Sequence, residues 1–280
     1  MTDAITREEK LMEAMATGSP LNIKPITREE MFLAKAGGQD VETPEPITRR
    51  EKLLQGIIDN GGGGGSTGGG GDANMLDALI DGSITEITSN VEKVKDYSFY
   101  GCSNLTEVNL PKATFIGIQA FQSCQKLTEV DSPQATSIGS TAFENCYVLT
   151  NVNLPKVTSI GIQAFRYCKA LTTINLPLVT AISTSVFHYC EKLTSVILPK
   201  ATSIGTTSFK LCEDLTTLVL GSQTLCTLSK TSAFDNTPFA SGGTGGVAYV
   251  PQNLIADYEI ATNWSSLAVT FLPIEGSEYE

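Results

Sequence analysis

Basic charge is scarce in this sequence: 19 Lys and Arg stand against 30 Asp and Glu, a formal net charge of −11. Nucleic-acid binding needs cations clustered on one face, so DNA and RNA are excluded as expected partners. Histidine occurs once, as His188, and tryptophan once, as Trp264. A Ser-His-Asp triad would depend on that single histidine. The sequence contains no C-x-x-C pair, G-x-S-x-G elbow, H-E-x-x-H pair or calcium loop, so no catalytic residue, metal ligand set or cofactor site is expected. Long apolar runs are also missing. Nothing approaches the ~18 consecutive apolar residues of a membrane span. The opening Met1-Thr-Asp-Ala-Ile-Thr-Arg-Glu-Glu-Lys10 carries acids where a secretory signal needs basic charge. A soluble, non-enzymatic chain with no export route of its own is expected.

What is abundant is repetition. Cys102, Cys124, Cys146, Cys168, Cys190 and Cys212 are each 22 residues apart. Phe99, Phe121, Phe143, Phe165, Phe187 and Phe209 keep the same step, as do Leu105 to Leu215 and Val108 to Leu218. The unit reads L-T-x-V-x-L-P-x-A-T-x-I-G-x-x-A-F-x-x-C-x-x. Its Val-x-Leu portion alternates at period two, the pattern of a strand buried on one face. The prolines at 111, 133, 155, 177 and 199 lack an amide donor and end each strand. A second extended stretch around Ile138 leads to a turn that carries Ala-Phe and Cys inward. Such a period predicts stacked coils with parallel strands ~4.8 Å apart.

This unit resembles the BspA-like, Treponema-type leucine-rich repeat over about residues 83–274. Ser232-Ala-Phe-Asp-Asn-Thr-Pro-Phe239, Val250-Pro-Gln-Asn-Leu254 and Ala261-Thr-Asn-Trp264 are similar to that family's terminal cap, in which Trp264 is expected to cover the open end. Ser132 departs from Leu, Ser183 from Gly, and Val186 and Ser208 from Ala; each is expected to weaken one coil. The resemblance implies a mainly β, leucine-rich-repeat solenoid of 22-residue coils and a binding or adhesive role.

Upstream, Ile5-Thr-Arg-Glu-Glu, Ile26-Thr-Arg-Glu-Glu and Ile47-Thr-Arg-Arg-Glu recur every 21 residues. Threonine followed three residues on by Glu9, Glu30 or Glu51 is a capping box, so three short helices are expected, near 7–16, 28–36 and 49–58. Helices this short are marginal alone. Their apolar residues, Leu11 and Met15, Met31 and Phe32, then Leu53, Leu54, Ile57 and Ile58, suit docking on another protein. Similar Pro-Ile-Thr-Arg-x-Glu helices resemble N-terminal segments of virion proteins of gut-bacterial phages, which implies a capsid or tail as the partner of residues 1–60. Nine glycines with Ser66 and Thr67 fill 61–71. That run has no P-loop lysine and reads as a flexible linker of ~20 Å reach. The expected organisation is therefore anchoring helices at 1–60, a linker at 61–72, the solenoid at 73–274 and an acidic tail at 275–280.

Two surfaces could bind. Outward strand positions form the columns Glu107, Glu129, Asn151, Thr173, Ser195, Thr217 and Asn109, Asp131, Asn153, Asn175, Ile197, Val219, acidic at one end and apolar at the other. Tyr147, Arg166, Tyr167, Lys169, His188 and Tyr189 occupy loop positions beside the cysteine ladder, and exposed Tyr and Arg commonly anchor interfaces. His188 falls at a variable repeat position and is expected to face solvent. The ladder thiols are expected to be buried and reduced, since adjacent coils hold them too far apart for a disulfide. Cys226 lies outside the ladder and is the thiol expected to react. Virion surface is the expected location and a protein or surface glycan the expected ligand, with a bacterial cell-surface or secreted adhesin as the alternative.

Overall fold

A computed structural model describes residues 84–280. The expected helices, the linker and the first residues assigned to the solenoid lie outside that range. Coil by coil, each repeat supplies a three-residue and a two-residue strand: β1 (Glu86–Thr88) and β2 (Lys93–Val94), β3 (Glu107–Asn109) and β4 (Phe115–Ile116), β5 (Glu129–Asp131) and β6 (Ser137–Ile138), β7 (Asn151–Asn153) and β8 (Ser159–Ile160), β9 (Thr173–Asn175) and β10 (Ala181–Ile182), β11 (Ser195–Ile197) and β12 (Ser203–Ile204), β13 (Thr217–Val219) and β14 (Thr227–Leu228). The cap adds β15 (Gly246–Val250), helix α1 (Ile255–Ile260) and β16 (Val269–Pro273). All pairings are parallel, and within the repeats the register steps by one repeat: Val108 faces Val130, and Val196 faces Leu218. The chain is the leucine-rich solenoid that its period implies.

Three devices stitch coil to coil. Phenylalanine rings stack nearly parallel along the core, from Phe99–Phe121 at 5.0 Å to Phe209–Phe234 at 5.4 Å, and the column ends on Phe239 and Trp264. From Cys124 onward each ladder thiol donates to the carbonyl of the Phe in the preceding coil: Cys146 to Phe121 at 3.2 Å, Cys168 to Phe143 at 3.3 Å and Cys212 to Phe187 at 3.0 Å. Threonine hydroxyls donate to threonine carbonyls one coil back, as Thr128 to Thr106 and Thr136 to Thr114. The Cys of the unit thus gives a donor to a carbonyl inside the coil, while the Thr hydroxyl adds a second donor to a carbonyl that the next coil's amide already reaches.

The stack is interrupted once. No pairing joins β7 to β9 or β8 to β10; the ribbons β1-β3-β5-β7 and β2-β4-β6-β8 stop there, and new ones resume. The threonine bonds continue on both sides of the gap, from Thr150 to Thr128 and from Thr194 to Thr172, yet Thr172 and Thr180 do not bond back across it. The glycine of the Ile-Gly step explains why. A Cβ on Gly139 would lie 2.5 Å from the Gly117 carbonyl carbon, and one on Gly161 would lie 2.3 Å from the Ser140 nitrogen. The coils close only where that position lacks a side chain. Ser183 has one, so its coil stands off, and its hydroxyl donates to the Ile160 carbonyl at 3.0 Å in the place where Gly139 uses its amide to reach Ile116 at 2.7 Å. Val186, larger than the usual Ala, adds volume to the same coil. Val152 is left half-buried while Val130 and Ile174 in the same column are buried. On the Phe side the coils stay joined: the amides of Phe165 and Tyr167 still reach Val186 and His188 at 2.9 Å, with Phe165–Phe187 the widest ring spacing of the repeat column at 5.6 Å. The result is a crease, open on the strand faces and shut along the phenylalanines. The other departures are absorbed: Ser208 donates to Gly205 at 2.7 Å, and the Ser132 amide keeps its bond to Asn153.

All seven cysteines are free and buried. This corrects the expectation for Cys226: cap packing encloses it, with its amide donating to the Tyr258 hydroxyl at 2.9 Å and its carbonyl accepting from Trp264 Nε1 at 2.7 Å. Burial pushes its thiol up to about 12 and raises Cys146, Cys168 and Cys190 well above the usual thiol value. The folded chain therefore favours neutral thiols that the unfolded chain ionises near pH ~8.5. Their contribution is full below that value and is lost as pH rises through it toward the folded value. We expect the melting temperature to be unmoved by dithiothreitol or EDTA and to fall between neutral pH and about pH 11. Native thiols should resist Ellman's reagent at neutral pH. A lower melting temperature in reductant, or labelling of Cys226 in the folded state, would contradict the thiol assignment.

Candidate functional site

The loop edge beside the cysteine ladder carries the densest group of polar and aromatic contacts. Four of the six residues singled out there come together. Glu144, buried at 8% exposure, accepts from Gln122 and from Arg166 Nη1 at 3.1 Å. Both of its oxygens are engaged, so the guanidinium is fixed. The Arg166 Cζ stands 4.7 Å from the Tyr167 ring centre, a cation–π distance, and Nη2 reaches the Tyr167 hydroxyl at 3.3 Å. Tyr167 stacks on Tyr189 at 4.6 Å, and His188 lies 4.6 Å from Tyr189. The edge is thus a cation, two phenols and an imidazole drawn from two successive coils.

Backbone geometry holds the phenols. Tyr167 and Tyr189 have φ of 62° and 63°, in the left-handed region, as do Ser123, Asn145 and Leu211 at the same repeat position. The coil imposes this conformation whatever residue is present; Asn tolerates it better than Tyr. His188 is half-buried, which corrects the solvent-facing expectation: the coil turn packs it between the Arg166 and Lys210 coils. Burial foremost, then the charges of Arg166 and Lys210, lower its affinity for protons, so the imidazole is neutral at pH 7. Its Nε2 and the Nε of Arg166 are buried with no hydrogen-bond partner.

The remaining two residues stand aside. Lys169 pairs with Glu191 at 2.6 Å, which raises its affinity for protons. Tyr147 is exposed and outside the ring stack; its carbonyl accepts from the Ala170 amide at 3.1 Å. Glu144 is the member that residue type alone did not single out. The available signal was its position one repeat before Arg166.

The sheet face presents the expected columns in register: Glu86, Glu107, Glu129 and Asn151 in one, Thr88, Asn109, Asp131 and Asn153 in the other. Asn153 donates to Asp131 at 2.6 Å. Val219 departs from expectation, being 1% exposed in an outward column. Among the described residues, no group of three or more His, Cys, Asp or Glu side chains could share a metal ion, and no helix is long and apolar enough to cross a membrane. An open depression of about 500 Å³ beside the cap is lined by Leu225, Leu228, Ile260 and Trp264, with Asp257 as the ionisable group on its wall. One carboxyl supplies no acid–base pair.

The strand–Ile-Gly–Ala-Phe-Cys coil defines a bacterial leucine-rich repeat. The family described as BspA type leucine-rich repeat region matches residues 82–190 and 136–242 with six copies, and the chain belongs to it. No curated protein matches the sequence. Similar solved structures include a leucine-rich cell surface protein from Faecalibacterium prausnitzii A2-165, at 31% identity and a TM-score of 0.43, covering 49% of this chain and 44% of that one. The leucine-rich repeat protein of T. pallidum has 26% identity and a TM-score of 0.35, covering 45% of this chain and 72% of that one. A leucine-rich repeat protein from Bacteroides ovatus ATCC 8483 has 18% identity and a TM-score of 0.40, covering 69% and 63%. The chain thus spans less than half the length of the F. prausnitzii protein.

Proposed function

We propose that this chain is a non-enzymatic adhesion protein that presents its solenoid to a protein or surface-glycan ligand while residues 1–60 hold it on a larger assembly. The observation that carries the binding role is the partly exposed Arg166, Tyr167, His188, Tyr189 edge, a guanidinium and three adjoining rings held in one place. Aromatic rings and a guanidinium held in place by Glu144 lose little freedom on binding, the economy that makes such residues interface anchors.

For the anchor, the support is the capping box repeated every 21 residues, each followed by a small apolar face, as repeated docking on a capsid or tail would require. On this reading the protein sits on a virion surface. The second reading, a bacterial cell-surface or secreted adhesin, is favoured by the repeat family itself, whose match lies wholly within 82–242 and owes nothing to the N-terminal motif. Immunogold labelling with an antibody raised against the repeats separates them: particles labelled in a producing culture support the virion, and cell envelopes labelled without particles overturn it. For the adhesive role, the labelled full chain should bind immobilised mucin or intact F. prausnitzii cells saturably. Absence of saturable binding to both would overturn it.

A further inference from the structure

The apolar end of the sheet face is already occupied by the chain itself. After β16 the chain stays close: the Ile274 amide donates to the Val250 carbonyl at 2.9 Å, and Glu275 accepts from the Gln252 amide at 3.0 Å. It then folds back on itself. Gly276, at φ +76°, donates to Glu280 at 2.8 Å, and the Ser277 hydroxyl accepts from the Tyr279 amide at 3.2 Å. This turn lays Tyr279 on Tyr249, with ring centres 4.9 Å apart, and brings its hydroxyl beside Ser195. Tyr249 lies on β15 and Ser195 on β11, with β13 between them in register. The phenol therefore crosses β13 on the outward side, which accounts for Val219 being 1% exposed where its column points to solvent.

Two features distinguish this segment from another piece of core. No ladder joins residues 276–280 to the sheet; apart from the anchoring bonds of Ile274 and Glu275, they are held by their own turn and by Tyr279. The face is also electrostatically divided. Its first strands carry Glu86, Glu107, Glu129 and Asp131, whereas the half under the tail, from Ser195 and Ile197 to Val247 and Tyr249, carries no carboxylate. Glu278 and Glu280 would be repelled at the first end and are tolerated at the second.

We propose that this end of the sheet face is a docking groove for a short acidic peptide segment bearing a tyrosine, and that Tyr279 fills it in cis until such a partner displaces it. The groove is separate from the Arg166–Tyr189 edge and stands whether or not that edge binds. An intramolecular occupant acts at an effective concentration in the millimolar range, so an external peptide should compete poorly with the intact tail. The test is an NMR titration of the full chain with the peptide Gly-Ser-Glu-Tyr-Glu, following the Val219 and Ile197 methyl signals. The Tyr279→Ala chain should saturate, the unaltered chain should need at least tenfold more peptide, and Gly-Ser-Glu-Ala-Glu should not bind. Adding Tyr249→Ala should abolish binding; Ser195→Ala, which leaves every apolar contact in place, should weaken it severalfold and serves if the Tyr249 variant fails to fold. No saturation of the Tyr279→Ala chain, equal binding to both chains, or binding indifferent to Tyr249 and Ser195 would overturn the proposal.

Discussion

Replacing Phe165 with alanine is expected to cost ~3–5 kcal/mol. The ring is fully buried, with Phe143 at 5.2 Å on one side and Phe187 at 5.6 Å on the other. Strand and threonine ladders fix the spacing to the Phe143 coil and the Phe165 and Tyr167 amides hold the Phe187 coil, so the neighbours cannot slide together to refill the space, and the cavity term adds to the lost transfer energy. Phe165 also borders the crease, where the phenylalanine side is what remains joined. A solenoid transmits stability from neighbour to neighbour, and a cavity at this junction should split the melt into two steps. Chemical denaturation followed by circular dichroism would show it; a loss below about 1 kcal/mol would mean that the column is loosely packed.

The second expectation concerns the crease itself. Ser183→Gly removes the Cβ that holds two coils apart, and β7–β9 and β8–β10 pairing should form, with a gain of about 0.5–2 kcal/mol and slower amide exchange in Thr172 and Thr180. The converse change, Gly139→Ser, should open a new crease at a cost of about 1–3 kcal/mol, because the added Cβ meets the backbone of Gly117 and Ile118 at 2.5 Å. Backbone cannot swing aside as a side-chain tip can. If Gly139→Ser were neutral, close approach of the coils at this step would not be what requires glycine.

The repeat was legible because one spacing carried several independent constraints at once. A period of 22 in Phe, Cys, Leu and Val allows one arrangement in which all four point inward, and the register follows that period from β3 to β7 and again from β9 to β13. What the Thr and Cys positions do was less visible: a side-chain donor aimed at a carbonyl in the preceding coil leaves no signature beyond the recurrence of the residue. Ser183 stood out as a departure, but its consequence depends on ångström clearances between backbones. The buried state of Cys226 depends on how Tyr258 and Trp264 fold over it, contacts between residues 32 and 38 positions apart that no local pattern encodes. In the candidate site, residue type and repeat position found Arg166, Tyr167, His188 and Tyr189. Glu144 escaped because a carboxylate at a variable position reads as solvated until the coil places it one step from a guanidinium. The tail escaped for a similar reason: an acidic hexapeptide reads as solvent-exposed unless a turn delivers its one aromatic to an apolar strand face.

The binding role is tested most directly by comparing two paired variants of the full chain on immobilised mucin and intact F. prausnitzii cells: Tyr167→Asn with Tyr189→Asn, and Glu107→Gln with Glu129→Gln. Asn145 already occupies the tyrosine position of another coil with φ 63°, so the first pair should fold, as a melt would verify. Loss of two anchoring aromatics, each worth about 1–2 kcal/mol or more, should weaken binding at least tenfold, while the glutamate pair should leave it within about twofold. Undiminished binding by the asparagine pair, or a loss confined to the glutamine pair, would contradict a binding role for the Arg166–Tyr189 edge.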